Sequence, residues 1–352
     1  MAVEKERQRC GSSVYVSPRN STQDLIMTLS NDSFALFLLC SHLGLPDEPD
    51  AKPLSAREWN QLESRLAANS VSVTDLPGSS AEQIKSSLQT DAAEAARLAW
   101  LLDRSCVIEE ELDRLTDLGI WVMTRFDEDY PLRFTERLKS AAPVLLYGSG
   151  DARLLNRRGL AVVGSRNIDQ RGFALTEFIG NACAESKLVV YSGGARGVDK
   201  TAMGAALAAG GSAAGLLADS LEKGIRAADA RTAIDEGKLV LATPYSPHSS
   251  FNVGMAMSRN KLIYALADFG LVIASDVEKG GTWAGAEEVL KARWVPVFVV
   301  DGPNVPDGNR VLIKRGAIPF PDTFDDSPSS LGDWLEEHVP VKEPVAVQGS
   351  LF

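Results

Sequence analysis

Histidine and cysteine are scarce in this chain, and long apolar runs are missing. The three histidines, His42, His248 and His338, are scattered, so no imidazole-rich metal centre is expected. The four cysteines, Cys10, Cys40, Cys106 and Cys183, lie far apart with no Cys-x-x-Cys pair. That speaks against a zinc site or a disulfide framework and for free thiols in a reducing cytoplasm. No run of about eighteen uncharged apolar residues occurs, the length a membrane-spanning helix needs. Met1 to Cys10 carries Glu4, Lys5, Glu6, Arg7 and Arg9 where a signal peptide would have an apolar core. No metal, no cofactor and no membrane partner are therefore expected, and the location expected is cytoplasmic.

An excess of positive charge is also lacking. The net charge of −11 over 352 residues, taken alone, argues against nucleic acid. Its distribution says more. Residues 151–320 hold 20 Lys+Arg against 17 Asp+Glu, whereas the flanks hold 16 against 30. The middle is mildly basic, which fits a local basic groove or an ordinary solvated surface.

What is present is an order of textures. Residues 1–30 are polar and aperiodic and read as a flexible arm. Residues 31–118 read as a small helical domain: Phe34 to Leu39, then Trp59, Leu62 and Leu66 at helical spacing behind a Ser55/Glu58 capping box, then the helix-favouring run Ala92–Leu102. From Gly119 to about residue 322 strands and helices alternate. Leu160–Val163, Leu188–Tyr191, Ala213–Ala218, Leu239–Ala242, Leu271–Ala274 and Pro296–Val300 read as strands. Asp169–Ser186 reads as a helix whose apolar face includes Phe173, Phe178, Ile179 and Cys183. This pattern predicts an α/β fold with a doubly wound, mainly parallel sheet, whose ligands bind at the carboxyl ends of the strands. Residues 323–352 read as an acidic linker and tail.

Three strand-to-helix turns carry small residues beside a cation or hydroxyl: Gly164-Ser165-Arg166, Ser192-Gly193-Gly194-Ala195-Arg196-Gly197-Val198-Asp199, and Gly280-Gly281-Thr282. Glycine lets a phosphate approach the backbone, and free N–H groups at a helix start point at it. Arg259-Asn260-Lys261 would lie near these turns, so the set can hold a run of phosphates. Asp199 reads as a cap or salt link of its helix rather than a base. Lys223, Arg226 and Arg231 form either a basic track or a solvated face. Trp283 could stack a base or be buried.

The order of these motifs, followed by Gly308-Asn309-Arg310-Val311-Leu312-Ile313-Lys314-Arg315-Gly316-Ala317 and preceded by Asp129-Tyr130-Pro131 and Pro143-Val144-Leu145-Leu146, resembles the DprA/Smf family of DNA-processing proteins. The resemblance implies an extended Rossmann-like domain that binds single-stranded DNA. It also implies a homodimer that helps load the RecA recombinase during DNA uptake and transformation. Arg166 and Arg196 would contact phosphates, Ser165 and Ser192 to Gly194 would cradle one, and Arg259 and Lys261 would line the DNA track. The family's aromatic and proline before its Arg-Asn-Arg are replaced here by Ala256-Met257-Ser258, so the base-stacking platform is missing from its usual place. Phe251, Tyr245 and Trp283 are substitutes to consider. Gly280-Gly281-Thr282-Trp283 is also similar to the glycine turn of the LOG nucleoside-monophosphate phosphoribohydrolases, in which Arg259 and Glu287 would be the catalytic counterparts. A nucleotide-sensing domain in a defence pathway shares the same pocket. The favoured reading is a binding protein without chemistry of its own.

The last residues, Gln348, Leu351 and Phe352 among them, resemble the short peptide by which bacterial DNA-metabolism proteins dock on the sliding clamp. Two apolar anchors at the end of a linker suit a hydrophobic pocket.

Overall fold

The structure is a computed structural model that describes residues 29–46, 51–324 and 330–340. The expected arm lies almost wholly outside the described residues, and so do the tail residues Gln348, Leu351 and Phe352. The chain divides into two compact units. One takes the described residues up to Asn156 together with Gly215–Ala256; the other takes Arg157–Ala214 and the described residues from Met257 on.

The first unit begins with helices α1 (Asn31–Cys40), α2 (Ala56–Ala68), α3 (Ala81–Leu88), α4 (Ala92–Leu102) and α5 (Ser105–Asp117). The Ser55/Glu58 capping box forms as expected: Ser55 N–H donates to Glu58 Oε2 at 2.8 Å, and Glu58 N–H donates to Ser55 Oγ at 3.3 Å. Trp59, Leu62 and Leu66 of α2 are buried. Strand β1 (Trp121–Thr124), helix α6 (Leu132–Leu138) and strand β2 (Leu145–Gly150) follow, and β1 and β2 pair antiparallel.

In the second unit β3 (Gly159–Val163) leads through α7 (Gln170–Glu185) to β4 (Val189–Ser192), and α8 (Val198–Ala208) leads to β5 (Ala213–Leu216), where the chain returns to the first unit. That unit then adds α9 (Leu221–Gly224), α10 (Ala228–Asp235) and β6 (Leu239–Thr243), which pairs antiparallel with β2. Helix α11 (Val253–Leu266) carries the chain into the second unit again. There β7 (Phe269–Val272), α12 (Gly280–Ala292), β8 (Val297–Asp301), α13 (Asp307–Lys314), β9 (Ile318–Pro321) and α14 (Leu331–Glu337) complete the described chain. Helix α13 and strand β9 were not anticipated; the Gly308–Ala317 motif reads as a helix only once Leu312 is seen to face inward.

Within the second unit the strands pair in parallel in the order β4-β3-β7-β8-β9. Every residue of β3, β4 and β7 is buried, as expected for parallel strands covered on both faces. The sheet is α/β and mainly parallel, as the alternation requires. From β3 the chain moves to β4 on one side, while β7 takes the other. Loops at the carboxyl ends of these strands therefore diverge, which is where open α/β sheets leave a crevice for a ligand. Helices α7 and α8 pack closely because a Cβ at Gly180 would come within 2.6 Å of the Ala202 carbonyl and the Ala205 methyl.

Cys40 and Cys183 are free and buried. Among the described residues no helix is long and apolar enough to cross a membrane.

Candidate nucleic-acid interface

The three glycine turns leave the ends of β3, β4 and β7, and hydrogen bonds knit them together. Ser165 N–H donates to Ala274 O at 2.9 Å and Val198 N–H donates to Ser165 O at 3.3 Å. The Thr282 hydroxyl donates to Gly164 O at 3.1 Å. Gly197 has φ +87°, and a Cβ there would meet the Ser165 and Arg166 carbonyls at 2.5 and 2.7 Å. Only glycine gives both that backbone and that approach.

The wiring of the second turn differs from a plain phosphate cradle. Asp199, in the first turn of α8, is 8% exposed and turns its carboxylate back into the loop. Its Oδ2 accepts from Gly193 N–H at 3.1 Å and from Ala195 N–H at 3.4 Å. Burial pushes its pKa up to about 6, against the opposing pull of the Arg259 guanidinium and the two amide donors. The cap reading of Asp199 thus takes a specific form: the loop already contains an anion of its own. Behind the loop stands Arg259, 4% exposed. A Cβ on Gly193 would run into its guanidinium. The geometry sets Arg259 as a support for Gly193 and a counter-charge for Asp199 rather than on an open track.

What remains for a ligand is the part of these turns without an internal partner. Among the described residues the N–H groups of Gly194, Arg196 and Gly197 have no acceptor. Helices α8 and α12 start without a side-chain cap, and their positive dipole ends favour an anion; in α8 the Val198 and Lys200 N–H groups are already bonded, to Ser165 O and Ala195 O. Helix α7 is different, because Asp169 Oδ1 takes the Gly172 N–H at 2.8 Å. Arg166 and Arg196 are exposed, and Arg196 Nη2 donates to Asn167 Oδ1 at 2.7 Å. The Ser192 hydroxyl is spent on Val162 O at 2.7 Å and the Ser165 hydroxyl on Asn167 O at 2.9 Å, which orders the loops.

Around this centre the other candidates separate. Asn260 packs on α12: a Cβ at Gly281 would come 2.5 Å from its Nδ2. Lys261 is half-buried. Glu287 is held by Arg315 and lies 3.3 Å from Lys291 Nζ. Arg315 also covers the face of Trp283, with its guanidinium carbon 4.9 Å from the ring centre. Trp283 is 4% exposed, so it is a buried ring and not a platform. The Tyr245 hydroxyl donates to Met255 O at 2.9 Å; Tyr245 and Phe251 belong to the first unit, as do Lys223, Arg226 and Arg231. Among the described residues no group of three or more His, Cys, Asp or Glu is arranged to hold a metal.

Two residues escaped the sequence reading. Asn309 is fully buried: its Oδ1 accepts from Ser275 N–H, and its Nδ2 donates to Ile273 O and Val300 O, all at 2.8–2.9 Å. It ties the ends of β7 and β8 to α13. The signal available was its place three residues before Leu312, on the buried face of that helix. Phe173 was placed on the apolar face of α7, but it is 49% exposed.

Residues 121–327 match the family model described as DNA recombination-mediator protein A. The DNA processing protein DprA of Streptococcus pneumoniae is 30% identical over 197 residues, 54% of this chain and 67% of that protein. A putative DNA processing protein DprA of Mycobacterium tuberculosis is 28% identical over 226 residues, 59% of this chain and 57% of that protein. The crystal structure of the pneumococcal protein superposes with a TM-score of 0.57 at 22% identity, covering 82% of this chain and 99% of that one. DNA processing protein A of Helicobacter pylori, whose structure was described for its single-stranded DNA binding mode, gives a TM-score of 0.51 at 25% identity, covering 62% of this chain and 97% of that one.

Proposed function

This chain belongs to the DNA recombination-mediator protein A family, and from that premise we propose that the turns after β3, β4 and β7 bind the phosphates of single-stranded DNA. The observation that carries the reading is the division of labour in the second turn. Asp199 takes the amides of Gly193 and Ala195, while those of Gly194, Arg196 and Gly197 have no acceptor among the described residues and the neighbouring Arg166 and Arg196 are exposed. Backbone donors and guanidinium groups read phosphate without reading sequence. The finer parts of the proposal are a homodimer acting in the cytoplasm, a role in placing the RecA recombinase on incoming DNA, and a clamp-binding tail at Gln348, Leu351 and Phe352. They rest on the family resemblance.

The test is a titration of labelled oligo-dT at two salt concentrations, with a mononucleotide as competitor. Arg166→Ala and Arg196→Ala should each weaken strand binding about tenfold and lower the salt slope by about one. Full affinity in both variants overturns the proposal. So does release of free base from a nucleoside monophosphate, abolished by Glu287→Gln, the outcome that the phosphoribohydrolase reading requires.

A further inference from the structure

Phe173 stands out in the second unit. Among its described residues no other phenylalanine, tyrosine or tryptophan is exposed. It lies in the first turn of α7, four residues past the Asp169 cap and seven past Arg166. Its neighbours Gln170, Arg171 and Ala174 are exposed as well.

Helix geometry fixes where it points. Thr176 and Gly180 share its face, three and seven residues on. Thr176 is fully buried, and Gly180 sits against Ala202 and Ala205 of α8. Strands β3 and β4 are parallel, so α7 and α8 leave them in the same direction. Seven residues back along α7 is about 10 Å, and α8 itself begins only four to seven residues before Ala202 and Ala205, at Val198. The face carrying Phe173 therefore reaches the level at which α8 starts, beside the glycine turn. Here Arg196 is bonded to Asn167, and Arg166 is exposed.

We propose that Phe173 is the base-stacking residue of this site: its ring takes the face of an unstacked nucleobase whose phosphate lies on the turns. The inference rests on the phosphate reading above. Charge complementarity selects the occupant. Arg166, Arg171 and Arg196 are exposed around the start of this helix and its neighbouring turn, and three amides of that turn have no acceptor among the described residues, which suits a polyanion that also carries flat apolar faces. Single-strand sites combine these two features, a cationic groove and an aromatic platform that every base can use. This supplies a platform on a different helix from the position, before Arg259, where the aromatic residue is missing. It also accounts for a phenylalanine left half in water at the edge of a loop cluster, where exposed apolar surface is unfavourable.

The experiment uses the full chain and two labelled strands of equal length, oligo-dT and an abasic deoxyribose-phosphate strand. Phe173→Ala should weaken oligo-dT binding about tenfold and leave the abasic strand unchanged. Phe173→Trp should keep the affinity, and oligo-dT should quench its added emission relative to the parent chain. Equal oligo-dT affinity for Phe173→Ala and the parent overturns the inference while the phosphate reading survives. So does an equal loss on both strands. Failure of the parent chain to bind either strand overturns both.

Discussion

The turn after β4 and the turn after β7 look alike in sequence and are held in opposite ways. Each is glycine-rich and each opens a helix that lacks a side-chain cap. The β4 turn is anchored from within by Asp199, a carboxylate only one residue into the following helix. The β7 turn is anchored from outside by Asn309, an amide on α13 that holds Ser275 N–H and Ile273 O. The first anchor titrates and carries charge; the second does neither. Glycine plays different parts as well. Gly193 is required because a guanidinium occupies the space of its side chain, whereas at Gly280 a Cβ would meet nothing within 4 Å. Two similar stretches of sequence thus make one turn sensitive to charge and one sensitive to packing.

The largest effect that would break the comparison is expected at Asn309. Asn309→Ala removes three hydrogen bonds and strands Ser275 N–H, Ile273 O and Val300 O in a fully buried position. Unpaired buried groups cost about 1–3 kcal/mol each, and partial relaxation brings the expected total to about 3–5 kcal/mol, read from urea unfolding. A loss below about 1 kcal/mol would show that the β7 turn is not anchored by this amide.

Asp199 should give a smaller effect with a pH signature. An unfolded aspartate titrates near 3.9, while burial holds the folded carboxyl at about 6. Between these values the folded protein keeps a proton that the unfolded chain has released. The stabilisation from this group is complete below about pH 4, falls as the pH rises, and is lost above about pH 6, by about 2–3 kcal/mol. Asp199→Asn cannot titrate there. Urea midpoints of the two proteins at about pH 4.5 and about pH 7 should therefore converge on one side of the window and separate on the other. Parallel profiles would mean that the carboxylate is not the inner anion described.

The sequence made part of this legible, for identifiable reasons. Period and capping announced α2, since the Ser55/Glu58 box and the Trp59, Leu62 and Leu66 stripe are local signals. Alternation announced the parallel strands, because apolar runs between helices leave few other arrangements. The glycine turns could be found, but not which of their amides face inward, because that depends on where Asp199 turns after one helical residue. Phe173 was misjudged because its spacing matches a buried stripe, and the stripe outruns the start of α8 that would have covered it. Arg259 was assigned to a DNA track by the family resemblance; its burial against Gly193 comes from tertiary packing, which sequence spacing does not encode.

The smallest expected effect sharpens the comparison. Gly280 opens α12 with φ +78°, in the region that side chains avoid, and its surroundings are empty. Gly280→Ala therefore tests backbone conformation alone, and the expected cost is about 1 kcal/mol. Gly193→Ala tests sterics alone, since Gly193 is not among the positive-φ glycines and its missing side chain is what leaves room for Arg259. Its expected cost is about 2 kcal/mol, at the level of overpacking a core. If Asp199 and Arg259 hold the β4 turn as a unit, Gly193→Ala should also deepen the Asp199 pH profile and carry it to higher pH, because displacing the guanidinium removes the pull that holds that carboxyl down against burial. Gly280→Ala should leave that profile untouched. A changed profile in the Gly280 variant would mean that the two turns are coupled and that their separate anchoring is wrong.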